Sequence, residues 1–363
     1  MLQRFQSGPI SRLRMIQFRE RIKNPGYAVH AMTFQILSLS GGGYRGLFTA
    51  EVLAKLEKQA GRPIGQCFDL IAGTSIGGII ALGLGLGHTA EKIRDTFLED
   101  GLKIFPPRAE PPKNKILAGY KLYRSVVDGP RYDGTLLRQT VEKIVGENAL
   151  LGDARTRLLI PAINMTQGRV QMFKTPHAST LRLDQHLKVA DIAMATSAAP
   201  IYFPLARVGE SLFADGGLVA NSPDACAVHE AIHFAGQQKE DIRILSIGTT
   251  SAGFGLPASL GTQFGPKEWF VNARLVNTVF GVQQQIVDYM MMHEFRERYV
   301  RLDSDTSAEQ AVDVGLDIAT KERRGTLLAL AHGCYQRACN NRFVIEALAH
   351  EPVEPDFVTA RAA

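Results

Sequence analysis

The chain is poor in cysteine, and the little it has is scattered. Four cysteines (Cys67, Cys226, Cys334, Cys339) occur in 363 residues, with no C-x-x-C pair among them. That pattern excludes a secreted disulfide scaffold and points to a reduced, cytosolic protein with buried thiols. Cys334 and Cys339 lie near His332, which is only a weak metal cue. Long unbroken apolar runs are also missing. The longest apolar stretch, Leu70 to Gly87, is interrupted by glycines, so no membrane span is expected. Internal repeats and low-complexity segments are absent, which excludes a solenoid. A true charge surplus is lacking as well: the net +5 arises in residues 1–33, where six Arg/Lys face Glu20 alone. The balanced remainder gives no reason to expect a nucleic acid polymer as partner. This basic leader has no apolar core of a secretory signal. It fits a transit peptide, a membrane-surface helix or a disordered tail, with Met32 as an alternative start, and we expect it to be poorly ordered.

What is present suits one large domain. Hydrophobic residues at 45% against 21% charged are enough for a sizeable core. Strand signals at 34–40, 67–72, 156–163, 169–175, 211–214 and 242–248 alternate with helical patterns. This predicts an α/β fold with a mostly parallel sheet flanked by helices. Residues 103–131 break the rhythm, and 103–138 hold eight Lys/Arg against three acids. That stretch reads equally as an active-site cover, a phosphate-facing surface or a solvated insertion. Residues 266–298 read as helix, with Val276, Val279, Phe280, Ile286, Val287 and the run Met290 to Met292 as a packing face. Residues 304–363 read as a helical extension with a polar tail, which leaves 34–303 as the main domain.

Chemistry concentrates in three places. Gly73-Thr-Ser-Ile-Gly77 follows the short apolar run Asp69 to Ala72 and precedes an apolar helix face, so it reads as a nucleophile elbow presenting Ser75. A glycine-rich turn with an incidental serine is the plainer reading of that motif alone. Ile36 to Leu39 reads as a strand running into Ser40-Gly-Gly-Gly-Tyr-Arg-Gly46, where main-chain N–H groups can approach an anion. Further on, Leu212 to Ala214 leads into Asp215-Gly216-Gly217. An Asp-Gly pair is usually a turn, but a carboxylate directly after an apolar strand is an unusual place for a charge without a task.

With these three motifs in this order, the chain resembles the patatin-like phospholipases, over roughly Thr33 to Leu302. Ala195-Thr-Ser-Ala-Ala-Pro200, Tyr202-Phe203 and Asn221-Ser-Pro223 resemble further stretches of that family. Family members commonly carry Asp where this chain has Ser40, a position read here as support for the glycine loop. The resemblance implies a patatin-like three-layer fold and a Ser75–Asp215 dyad without histidine. It also implies an oxyanion hole from the loop Gly41, Gly42, Gly43, Arg45 and Gly46, and cleavage of phospholipid acyl esters without a metal. Arg45 would structure the loop or meet a phosphate. The residues alone leave a Ser-His-Asp triad open, with His177, His186, His229 or His332 as third member. The chains most similar in Leu37 to Gly46 and Gly73 to Ile80 look like bacterial anti-phage effectors of the CBASS type, in which a cyclic dinucleotide such as cGAMP switches on phospholipase activity. The expectation is therefore a cytoplasmic enzyme acting peripherally at the inner membrane, with the 103–138 stretch or Lys321 to Arg324 meeting the activator's phosphates. A constitutive patatin-like lipase and a binding protein that kept the fold are the alternatives; no oligomeric state follows.

Two other motifs compete. Gly41 to Gly46 matches G-x-G-x-x-G with Asp69 about 20 residues on, as a dinucleotide fingerprint requires. Asp69 opens its apolar run, however, whereas a ribose-binding acid should close the second strand. His229-Glu230-Ala231-Ile232-His233 matches the H-E-x-x-H signature of zinc metalloproteases, but no third ligand stands at a recognised spacing.

Overall fold

The computed structural model describes residues 33–106, 129–250, 255–270, 273–306, 317 and 319–357. The basic leader up to residue 32 and most of the basic connection expected at 103–131 lie outside these residues.

Strand β1 (Phe34–Leu39) is buried along its whole length, the pattern of a central strand covered on both faces. A short turn leads into α1 (Gly46–Ala60), which turns Leu47, Val52, Leu53 and Leu56 inward. Next come β2 (Leu70–Gly73), the wholly buried α2 (Ile76–Gly85), and α3 (Ala90–Ile104), capped by the Thr89 hydroxyl. After α4 (Thr135–Val145), β3 (Arg157–Asn164) and β4 (Arg169–Lys174) form a hairpin. Then follow α5 (Val189–Thr196), the pair β5 (Ala206–Val208) and β6 (Ser211–Asp215), α6 (Gly217–Ala220) and α7 (Asp224–His233). Strand β7 (Ile242–Ile247), α8 (Pro266–Phe270), α9 (Arg274–Phe295), β8 (Tyr299–Leu302), α10 (Lys321–Ala338) and α11 (Arg342–Leu348) complete the order.

The strands form one sheet in the order β5-β6-β3-β2-β1-β7-β8, with β4 on the far edge of β3. The run from β3 to β8 is parallel, while β4, β5 and β6 pair antiparallel. Alternation along the strands divides the core. Leu37, Leu39, Ile71, Ile160 and Leu245 face helices α1 to α5, α10 and α11, whereas Ile36, Leu70, Ala72, Leu159 and Ile244 face α7 and α9. The result is the expected three-layer arrangement. Helices α10 and α11 share the larger core through Leu327, Ala331, Phe343 and Val344. Of the face expected to pack on α9, only Met291 of the methionine run is buried; Ile286, Met290 and Met292 are half exposed, because they lie on the side of the helix turned away from the sheet.

One feature of the sheet positions the site. Strand β3 pairs with β2 through Arg157 to Leu159 and with β6 through Ala162 to Asn164, while β4 occupies its other edge. Strands β2 and β6 therefore run head to head along the same edge of β3. Their C-terminal residues, Gly73 and Asp215, meet there. Strand β1 is also where the strand order turns, with β2 on one side and β7 on the other. Loops at the carboxyl ends of strands around such a point line a crevice.

Candidate active site

Ser75 caps α2 in a conformation (φ 55, ψ −125) that non-glycine residues rarely adopt. The strain is held by close backbone packing. A Cβ on Gly73 would lie 2.2 Å from the Gly77 carbonyl oxygen, and one on Gly77 would lie 2.4 Å from that of Leu39. No side chain fits at either place, so the bend needs both glycines. Ser75 Oγ donates to Asp215 Oδ2 at 2.8 Å, and Asp215 Oδ1 accepts the Gly217 N–H at 2.7 Å. Asp215 is fully buried. Burial pushes its carboxyl up to about 7, against the opposing pull of the Gly217 and Ser75 hydrogen bonds. Gly216 packs on the Pro161 carbonyl of β3.

Thr196, at the end of α5, fills the gap where the two strands meet. Its hydroxyl donates to the Pro161 carbonyl at 2.6 Å and accepts the Ser75 N–H at 3.0 Å. The same residue's carbonyl accepts the Gly216 N–H, and that of Ala198 accepts the Asp215 N–H. The stretch Ala195 to Pro200 stood out in the sequence only through the family resemblance. Nothing local marks a threonine that contacts both the elbow and the Asp-Gly-Gly turn.

The glycine loop lies over the elbow. The Gly41 N–H donates to the Asn221 carbonyl, whereas the Gly42 and Gly43 N–H groups meet no acceptor among the described residues. Thr249 backs the loop, donating to the Gly41 carbonyl at 3.0 Å. Arg45 turns onto the loop itself: Nε donates to the Gly42 carbonyl at 3.3 Å and a terminal nitrogen to the Thr250 carbonyl at 3.0 Å. Gly46 sits against Ile76, which brings the starts of α1 and α2 together. In front of Ser75 and Asp215 opens a narrow apolar pocket walled by Tyr44, Ile79, Phe97, Phe105, Tyr202 and Phe280.

The competing motifs have other partners. Asp69 accepts the Gln35 N–H, the Val353 N–H and His350 Nε2, each within 2.8 Å, and so fastens the C-terminal segment. In the H-E-x-x-H helix, Glu230 is buried and pairs with Lys174 and His177, while His229 and His233 stack on one another at the exposed side. The glutamate and the two imidazoles thus face different surroundings. No group of three or more His, Cys, Asp or Glu able to hold a metal occurs among the described residues. His177 is taken up by Glu230 and Thr175, and both Asp215 oxygens by Ser75 and Gly217. Among the described residues no histidine hydrogen-bonds to Ser75 or Asp215.

A nucleophile elbow facing a buried aspartate, beneath a glycine loop at the head of an apolar pocket, is the arrangement of a serine acyl hydrolase. The family pattern described as patatin-like phospholipase matches residues 37–224, and the chain belongs to that family of lipid acyl hydrolases. Three relatives carry the name cGAMP-activated phospholipase. The one from Pseudomonas aeruginosa is 38% identical over 328 residues, covering 90% of this chain and 95% of the relative. That from Vibrio cholerae is 39% identical over 307 residues, covering 79% and 86%. That from Escherichia coli is 34% identical over 351 residues, covering 88% and 95%. Among the described residues no helix is long and apolar enough to cross a membrane.

Proposed function

We propose that this chain cleaves fatty-acyl esters of membrane phospholipids through a Ser75–Asp215 dyad, from the cytoplasmic face of the membrane, and that a cyclic dinucleotide switches it on. The observation that carries the chemistry is the 2.8 Å hydrogen bond from Ser75 Oγ to a carboxylate buried enough to act as a base near neutrality.

In acylation, Asp215 takes the Ser75 proton as Oγ bonds to the ester carbon. The carbonyl oxygen becomes an oxyanion, for which the Gly42 and Gly43 N–H groups, without an acceptor among the described residues, are the donors. Collapse expels the glycerol oxygen, which takes the proton from Asp215 and leaves as the lysophospholipid. Water then gives a proton to Asp215 and attacks the acyl-enzyme. Breakdown of the second tetrahedral adduct returns the proton to Ser75 Oγ and frees the fatty acid. The apolar lining of the pocket suits the start of an acyl chain.

Control by a cyclic dinucleotide is supported by the names of relatives aligned over most of both chains. Of the basic groups that would meet its phosphates, Lys321 and Arg324 stand in the first turn of α10; most of 103–138 lies outside the described residues. The test is hydrolysis of phospholipid vesicles by the full chain, titrated with a panel of cyclic di- and trinucleotides, with Ser75→Ala as control. Activity that depends on one cyclic dinucleotide and is lost in the control supports the proposal. Full activity without nucleotide leaves a constitutive lipase, and an active Ser75→Ala removes the dyad.

A further inference from the structure

The glycine loop is held from below by one buried ion pair. Arg301 on β8 reaches beneath the loop, and Asp303 stands two residues further on, with side chains only 10% and 14% exposed. Two separate chains of hydrogen bonds lead from this pair to the loop. Along the first, Arg301 donates to Asp303 Oδ2 at 2.9 Å, to Ser246 Oγ at 2.9 Å and to Ser40 Oγ at 3.4 Å, the residue at the loop's base. It also reaches Ser222 in the turn after the Asp215-Gly-Gly segment, and Ser222 Oγ lies 3.1 Å from Ser40 Oγ. One guanidinium thus ties the oxyanion side of the site to the aspartate side. Along the second, Asp303 Oδ1 accepts the Thr250 N–H at 3.0 Å, the Thr250 carbonyl accepts Arg45, and Arg45 Nε returns to the Gly42 carbonyl. Thr250 is held at φ 70, a left-handed conformation that a β-branched residue avoids unless its surroundings impose it.

Burial works against charge on Arg301, but Asp303, with Asp224 and Asp288 behind it, outweighs burial and keeps the guanidinium ionised. An aspartate pairing with Arg301 from the loop's base, where this chain has Ser40, would add a further carboxylate to that set. The pair is therefore complete without one.

We infer that Arg301 and Asp303 are positioning residues for the proposed hydrolysis, setting the Gly42 and Gly43 N–H groups where the oxyanion forms. Oxyanion donors act only over a narrow range of distance, so a small displacement of the loop is felt in the transition state far more than in substrate binding. This inference rests on the Ser75–Asp215 reading.

The experiment compares Arg301→Lys and Ser40→Ala with the parent enzyme. It measures kcat and KM on a soluble ester, the rate at which a fluorophosphonate labels Ser75, and Tm. Lysine keeps the buried charge but cannot fork to three serines and Asp303 together. Arg301→Lys should lower kcat and the labelling rate together, by about tenfold or more, with KM within about twofold of the parent. Ser40→Ala removes the guanidinium's bond to the loop's base and the Ser40–Ser222 contact while leaving the route through Asp303 and Thr250 intact, and should show the same signature at smaller size. It carries the test if the lysine variant fails to fold. A kcat and labelling rate close to the parent's in Ser40→Ala and in any folded Arg301→Lys would overturn the inference. So would a rise in KM at unchanged kcat. A parent enzyme that hydrolyses esters yet is not labelled at Ser75 would instead retire the dyad, which keeps the two failures distinct.

Discussion

The Ser75 N–H donates to the Thr196 hydroxyl across 121 residues of sequence. This bond fixes the elbow from outside its own strand and helix, and the hydroxyl's own proton goes to Pro161. Thr196→Val keeps the shape but orphans a buried donor and a buried acceptor. We expect a loss of about 1–3 kcal/mol of stability together with a lower kcat. Thr196→Ser should stay near the parent on both measures. Urea denaturation and steady-state kinetics check this, and a valine variant equal to the parent would remove Thr196 from the site.

Ser75→Ala and Asp215→Ala should each abolish ester hydrolysis, by more than about a thousandfold and by similar factors, because groups that act as a unit fail as a unit. Circular dichroism should show both variants folded. Substantial activity in Asp215→Ala, with loss in a histidine variant instead, would revive the triad.

The proton on Asp215 sets the pH profile. Only the ionised carboxylate can accept from Ser75, so kcat/KM should rise as pH climbs through about 7 and then level off. Stability should move the other way. The folded-state carboxyl titrates near 7 and the unfolded one near its ordinary, lower value, so the folded chain keeps a proton that the unfolded chain has released. That contribution is full below the unfolded pKa and is lost as pH rises through about 7. Asp215→Asn removes the effect, so its Tm advantage over the parent should grow between about pH 5 and pH 8. Calorimetry across that range is the check, and a constant Tm difference would contradict the assignment.

Glu230 and the two exposed histidines should part company on mutation. Glu230→Ala strands Lys174 and His177 without their buried acceptor and should cost about 3–5 kcal/mol. His229→Ala with His233→Ala should leave stability within about 0.5 kcal/mol of the parent, and activity unchanged with or without chelator. Stoichiometric zinc in the purified protein, lost in the double variant, would bring back the metalloprotease alternative.

The parts legible in the sequence were those where the backbone itself is under demand. An elbow that tolerates no Cβ at Gly73 or Gly77 keeps its glycines in the sequence, and so does the loop, crowded at Gly41 and Gly42 and left-handed at Gly43. Strands with continuous apolar runs, such as Phe34–Leu39 and Ile242–Ile247, were legible for the same kind of local reason. The three-residue β5 and the four-residue β8 were not read as strands. Neither is long enough to establish an alternation, and β8 follows directly on a long helix. Cys67, read as strand, ends a helical turn before β2. Side-chain bridges between distant elements were invisible. Thr196 to Ser75, Arg301 to Ser40 and Asp69 to His350 join residues whose neighbours in sequence carry no sign of the contact. Asp69 shows how misleading that can be, since its spacing suggested a ribose and its partners prove to be the C-terminal segment.

The head-to-head meeting of β2 and β6 on one edge of β3 also governs when in synthesis the site can form. Ser75 and Asp215 stand 140 residues apart, and each reaches the junction from the opposite direction. A growing chain on the ribosome displays the elbow long before its partner exists, and no stub ending short of Asp215 can assemble the pair. The braces at Arg301 and Asp303 arrive later still. A hydrolase of the kind proposed is thus born unarmed, and it completes its site only when the far end of the sheet has been delivered.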